Sequence, residues 1–366
     1  VSRDDDEAHT VLAELHRRTA LLHRDHFADP ASALEALDRE LALRPHAVAA
    51  HSLAVDLALE IDDGERALEG LRAIVALEPD RDQTYHDIFG IGQRYDVPDI
   101  SFYAAAVTLV RGCQDEREGI IYREHKSDVV PPHRHALGAG SWELLKVRQR
   151  DPAVDAVMRA VTPSVVRARV KQLIHDGTLP DLPDTARQDP ATSTVSAVRS
   201  LNWAGQLLAV PLPAVYVRDD VDCAYAARFA RFPATLIGRD AMRGRTTLEL
   251  GFMAGRHLAL RLPEHELVAH LSSIDELSIC FLAALRIVLG RAPVSGQHAK
   301  AVDALAKVLG SQQTPEERDE LIAAVDAFSE AGGRVNLRDW LVAASLCAGR
   351  AGLLMCGDLE VSLAMI

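Results

Sequence analysis

Aromatic side chains are scarce, at 5% of 366 residues. That leaves too few large flat groups to staple a big sheet through cross-strand pairs. Cysteine is scarcer still. Cys113, Cys223, Cys280, Cys347 and Cys356 are odd in number and far apart, and no CxxC pair occurs. A disulfide framework is thereby excluded, and buried reduced thiols in a cytoplasmic protein are expected. Positive charge is in deficit, with a formal net charge of −13 and a pI near 5.6. A nucleic-acid partner is not expected, and the short runs Arg167, Arg169, Lys171 and Arg239, Arg243, Arg245 read as solvated faces. Long apolar runs are missing too. The nearest, Trp340 to Cys356, is interrupted by Ser345 and Arg350 and falls short of the roughly 20 apolar residues a bilayer needs, so no membrane partner is expected. The first residues are acidic rather than a basic-then-apolar leader. GxGxxG, GxxxxGK[ST] and GxSxG are all absent, so no cofactor is expected. Val1 at one end and the apolar run Val361 to Ile366 at the other suggest a segment of a longer polypeptide or a subunit of a larger assembly.

Alanine and leucine are plentiful, and apolar residues reach 48%, a composition that suits packed helices. Within the first third the sequence repeats. Ala33-Leu34-Glu35, Leu37, Leu43 and Pro45 recur as Ala67-Leu68-Glu69, Leu71, Leu77 and Pro79, each 34 residues later. A small residue lets neighbouring helices approach, a large one fills the gap between hairpins, and proline stops the helix. This period and pattern resemble tetratricopeptide repeats, with Ala33 and Ala67 at the small site, Leu37 and Leu71 at the bulky site, and Pro45 and Pro79 as terminators. A frayed third copy follows: Tyr85, Ile88 and Phe89 fit its first helix, and Ser101, Ala105 and Thr108 its second.

Further along, Gly119-Ile120-Ile121-Tyr122 reads as a short strand, and helical periodicity returns over 141–176 with Trp142, Leu144, Leu145, Val154, Val157, Met158 and Val165 inward. A polar loop covers 177–194. Helices are expected at 194–208, 246–260, 265–289, 297–309, 315–331 and 337–355, with strands at 213–217 and 234–237. Ser273 with Glu276 and Thr314 with Glu317 match capping boxes, and Asn336 suits a cap. The expected fold is mainly α: α-α hairpin repeats over 1–115, a helical connecting region over 116–194, and a helical domain with a small β element over 195–366.

The order of elements in 195–290 resembles the core of the HExxH zinc metallopeptidases related to the membrane heat-shock protease and the prenyl-protein endopeptidases. Pro213-Ala214-Val215-Tyr216-Val217, then Cys223-Ala224-Tyr225-Ala226, then Ala234-Thr235-Leu236-Ile237-Gly238, lead to the helix Leu248 to Leu260. The resemblance covers about 50 residues. It implies two histidines at i and i+4 for zinc and a glutamate for the metal-bound water. Those positions hold Arg256, Leu260 and His257 respectively. A guanidinium has no free lone pair and leucine has no donor atom, so the resemblance implies a core without catalytic, cofactor or metal residues. His265-Glu266-Leu267-Val268-Ala269-His270 imitates HExxH, but its second histidine comes one residue late and points about 140° away. The remaining metal candidates are His133 and His135, near His125, together with His257 and His265. A further block, Gly255 to Ala259 followed by Arg261-Leu262-Pro263-Glu264-His265, resembles large tetratricopeptide proteins of high-GC delta-proteobacteria.

These readings point to a cytoplasmic bacterial interaction or scaffold protein that binds a protein or peptide partner. Glu7 to Arg24 and Ser52 to Glu60 would line its groove, and the second domain would be a pseudoenzyme. The alternative is a metal-dependent hydrolase or peptidase whose ligands the motifs do not reveal, with His257, His265 and Glu249 as the nearest groups.

Overall fold

The computed structural model describes residues 3–130, 132, 135–147, 150–271, 273–290 and 296–366. They form eighteen α-helices and a four-stranded sheet, a mainly α fold with a small β element. The chain divides into two compact units, Val1–Lys126 and Ser127–Ile366, so residues 116–194 are shared between them.

The first unit is a run of helices: α1 (Arg3–Phe27), α2 (Pro30–Leu43), α3 (Val48–Glu60), α4 (Gly64–Leu77), α5 (Asp82–Arg94), α6 (Pro98–Arg111) and α7 (Glu116–His125). The 34-residue step is built into the backbone. Helices α2, α4 and α6 start at 30, 64 and 98 and end at 43, 77 and 111, while α3, α5 and α7 start at 48, 82 and 116. At the tight turn before each of α2, α4 and α6 one residue is left-handed: Ala28, Asp62 and Asp96, with φ of 48°, 60° and 53°. Next to it, Asp29 and Asp63 cap α2 and α4 through Ser32 N and Arg66 N, each at 3.0 Å, satisfying a first-turn donor. Ala33, Ala67 and Ser101 hold the small site with no exposed surface. His51 Nε2 lies 2.9 Å from Pro45 O, and one step later the Tyr85 hydroxyl donates to Pro79 O at 2.8 Å. The strand expected at Gly119–Tyr122 is instead part of α7. Asp115 and Glu118 form a reciprocal capping box, and this start signal outweighs the β preference of two isoleucines.

The second unit contains α8 (Ala139–Leu145), α9 (Pro152–His175), β1 (Arg187–Gln188), α10 (Ser196–Leu208), β2 (Ala214–Val217), β3 (Tyr225–Arg228), β4 (Ala234–Ile237), α11 (Arg239–Met242), α12 (Thr247–Ala259), α13 (Glu266–His270), α14 (Ile274–Leu289), α15 (Gly296–Gly310), α16 (Pro315–Glu330), α17 (Leu337–Cys356) and α18 (Leu359–Ala364). The sheet order is β1-β2-β4-β3. β2 runs parallel to β4 (Val215↔Thr235), and β3 runs antiparallel to it (Ala227↔Thr235). Two expectations are corrected here. The helix predicted over 265–289 is broken into α13 and α14, because Ser273 caps Glu276 N and restarts it. The one predicted over 141–176 is divided by the Asp151 cap and Pro152, which leaves Leu144 81% exposed rather than inward.

Among the described residues, two large apolar clusters fill this unit. One joins Val157, Met158, Leu277, Phe281, Val325 and Trp340. The other joins Leu201, Val215, Ile237, Leu258, Ala351 and Met355. Helix α17 contributes to both. It is 20 residues long, apolar enough by length and composition to cross a bilayer (mean hydropathy 1.3), and half buried inside the fold. It meets α12 at glycines. A methyl group on Gly255 would lie 2.5 Å from Met355 Cγ and 2.8 Å from Ala351 O, and one on Gly352 would lie 2.8 Å from Phe252 O.

Three stability effects follow. Gly352→Ala raises helix propensity by about 1 kcal/mol, yet it forces a methyl group against backbone. We expect a net loss of about 1–2 kcal/mol in urea unfolding, and a gain would refute the close contact. Ala28→Gly relieves the left-handed backbone and should add about 0.5–1 kcal/mol. Glu40 has no exposed surface and neither carboxylate oxygen is hydrogen-bonded. Its nearest charge is Arg17, at 3.5 Å. One step later the same position holds Ile74. Glu40→Ile should therefore stabilise the unit by about 1–4 kcal/mol, checked by its melting temperature.

Candidate functional site

Helix α12 begins where Thr246 and Glu249 cap each other's backbone, and Glu249 also bonds Arg245 at 3.0 Å. Glu249 therefore serves the helix start, about two turns before His257. At the other end of α12, His257 is buried. Its Nε2 shares a 2.9 Å hydrogen bond with Thr235 Oγ1 on the central strand β4. Its ring stacks on Tyr225 of β3 with centroids 5.8 Å apart, and the Tyr225 hydroxyl donates to Ala197 O at 2.8 Å. Burial drives the imidazole down to about 3, and Arg261 and His270 push the same way. Burial also raises the Tyr225 hydroxyl. Both rings are thus held neutral.

One turn on, the nearly buried Arg261 guanidinium is pinned by Glu266 at 3.0 Å and donates to His270 Nε2 at 2.8 Å. That bond puts the His270 proton on Nδ1, a buried atom with no hydrogen-bond partner. Phe229 stacks on the ring, with centroids 4.3 Å apart. Burial lowers His270, with Glu266 opposing.

His265 faces elsewhere. It lies 3.9 Å from Asp155 Oδ1 and edge-on to Trp340, whose Nε1 donates to that same carboxylate oxygen at 2.8 Å. Burial lowers His265 too, against the pull of Asp155 and Glu264. His265 and His270 therefore serve different neighbourhoods, as their angular offset implies. Arg256 and Leu260 are half-buried. His135 is exposed, His133 lies outside the described residues, and His125 Nδ1 is 3.0 Å from Ile121 O of its own helix.

The sequence reading overlooked Thr235, Arg261 and a group in the first unit. His86 Nδ1 lies 2.6 Å from Glu118 Oε1, and with Asp115 these two offer ligand atoms within 4.8 Å of one another. This is the sole group of three or more His, Cys, Asp or Glu side chains so placed among the described residues. The repeat register held the signal: Glu118 stands where Ala50 and Thr84 stand in the preceding steps. Thr235 was legible as the lone hydroxyl in Ala234-Thr235-Leu236-Ile237.

No protein-family model, curated protein or solved structure matches the chain.

Two measurements probe this network. Thr235→Val leaves a buried imidazole nitrogen without its partner and should cost about 1–3 kcal/mol, with part of the loss recovered in Thr235→Val/His257→Leu. His257 is held at about 3 when folded and titrates near 6.5 when unfolded, so between those values the unfolded chain binds the extra proton. The stability from keeping it neutral is complete above pH 6.5 and is lost as the pH falls. Relative to His257→Gln, the wild type should lose about 1.4 kcal/mol per pH unit through that window. Parallel slopes would refute the assignment.

Proposed function

We propose that this chain is a protein-interaction module. Its first unit would act as tetratricopeptide-like hairpins that hold a peptide or helix, and its second as a metallopeptidase-like core kept for structure or docking. The observation that carries the reading is the 34-residue step in helix bounds and left-handed turns, because a constant step stacks hairpins into a continuous recognition surface. Val11, Leu15 and Leu22 of α1, exposed at 66%, 59% and 46%, add apolar surface of the kind partners cover. Asp56 and Glu60 of α3 are exposed and supply charge for steering.

The metallopeptidase likeness is supported by the order α10, β2, β3, β4, α12 and by a sheet mixing parallel and antiparallel pairs. At the three motif positions, Arg256 and Leu260 offer no metal-ligating atom and His257 is engaged by Thr235. The described residues of the second unit gather no three His, Cys, Asp or Glu side chains near one point, so the hydrolase alternative gains nothing from this geometry. A bacterial, cytoplasmic setting belongs to the same proposal and rests on the free cysteines and the sequence resemblance.

Cross-linking mass spectrometry of the tagged chain in its host should place partner cross-links on α1, α3 and α5, and the Asp56→Arg/Glu60→Arg variant should lose them with its circular dichroism unchanged. With zinc and a fluorogenic peptide library, cleavage by wild type should not exceed that of His257→Ala. Turnover abolished by that substitution would overturn the reading.

A further inference from the structure

We propose that His86, Asp115 and Glu118 bind a divalent first-row transition cation that clamps α5 to α7. This is independent of the function proposed above.

One imidazole nitrogen and two carboxylates, with ligand atoms within 4.8 Å of one another, form a donor set suited to zinc and its neighbours. The repeat register makes Glu118 unusual. Ala50, Thr84 and Glu118 occupy the same step of α3, α5 and α7, and all three are buried. Two of those seams close with a small side chain, so packing does not demand a carboxylate in the third. Placing one there costs desolvation unless a compensating charge meets it. Glu118 is also pre-oriented. Its Oε2 accepts from Asp115 N at 2.9 Å, which leaves Oε1 directed at His86. Asp115 Oδ1 accepts from Glu118 N at 2.8 Å, so the two carboxylates are locked together at the head of α7.

The group borders a pocket of about 420 Å³ that His86, Asp115 and Glu118 line together with Phe89 and Gln93. The pocket supplies an entry path and room for waters to complete the coordination shell. The cation takes the place of the proton shared by His86 Nδ1 and Glu118 Oε1, and the ring proton moves to Nε2. Two negative charges then meet two positive ones, and α7, the last helix of the run, is tied to α5 by coordination.

The test is calorimetric titration of the full chain with zinc chloride, with magnesium chloride as control. Asp115→Asn keeps a competent N-cap and Glu118→Gln keeps the capping-box partner, so both should retain the helix. His86→Gln, on a half-buried side chain, is the reserve if either fails to fold by circular dichroism. We expect one zinc per wild-type chain, little response to magnesium, and affinity at least about tenfold weaker in each variant. His133→Gln/His135→Gln should leave zinc affinity unchanged. Failure of zinc to bind at one equivalent, or wild-type affinity retained in Asp115→Asn and Glu118→Gln, would leave a hydrogen-bonded brace and overturn the proposal.

Discussion

The second unit depends on how closely α12 and α17 approach. Two helices carrying ordinary side chains stand 8–10 Å apart. Here Gly255 and Gly352 remove the side chains at the crossing, so that each helix rests on the other's backbone. The consequence runs in both directions along α17. Its later half packs Ala348, Ala351 and Met355 against α10, α12 and the sheet, while its earlier half delivers Trp340 to α9 and α14. Shifting the crossing would displace both clusters together. The same approach fixes α12 over the sheet, which brings His257 into reach of Thr235.

Around that anchor the interior is polar in a disciplined way. Thr235 with His257, Arg261 with Glu266 and His270, and Trp340 with Asp155 each match a buried group to a specific partner. Such pairs add little net stability compared with apolar packing. They do penalise a wrong register heavily, because a slipped helix strands a donor or a charge in low dielectric. Neutral imidazoles are part of this device: three histidines near the end of α12 are held below their ordinary range chiefly by burial.

The mainly α fold and the two longer-range strands β2 and β4 were legible, because alanine-rich periodicity and proline-bounded apolar runs are local signals. The hairpin step was legible for the same reason, and Asp62 and Asp96 could have marked its turns, since aspartate tolerates the left-handed region. β1 was not legible: two residues, Arg187 and Gln188, carry no periodicity, and only pairing with Tyr216 and Val215 makes them a strand. The break between α13 and α14 was half visible, for Ser273 was recognised as a cap but not as the end of the preceding helix. Glu266 and His270 were legible as one motif, but their joint hold on Arg261 was not, because it depends on the turn between α12 and α13. His86 and Glu118 lie 32 residues apart, and only the stacking of α5 against the later helices brings them together.

The left-handed residues at 28, 62 and 96 constrain how this chain can change length. Each turn sets its left-handed residue two positions before the next helix, and that helix inherits its rotational setting from the reversal. Gaining or losing a single residue inside a hairpin would rotate every later apolar face by about 100°. The first unit can therefore grow or shrink by whole strides of 34 residues, while smaller insertions are confined to the loops that join one hairpin to the next.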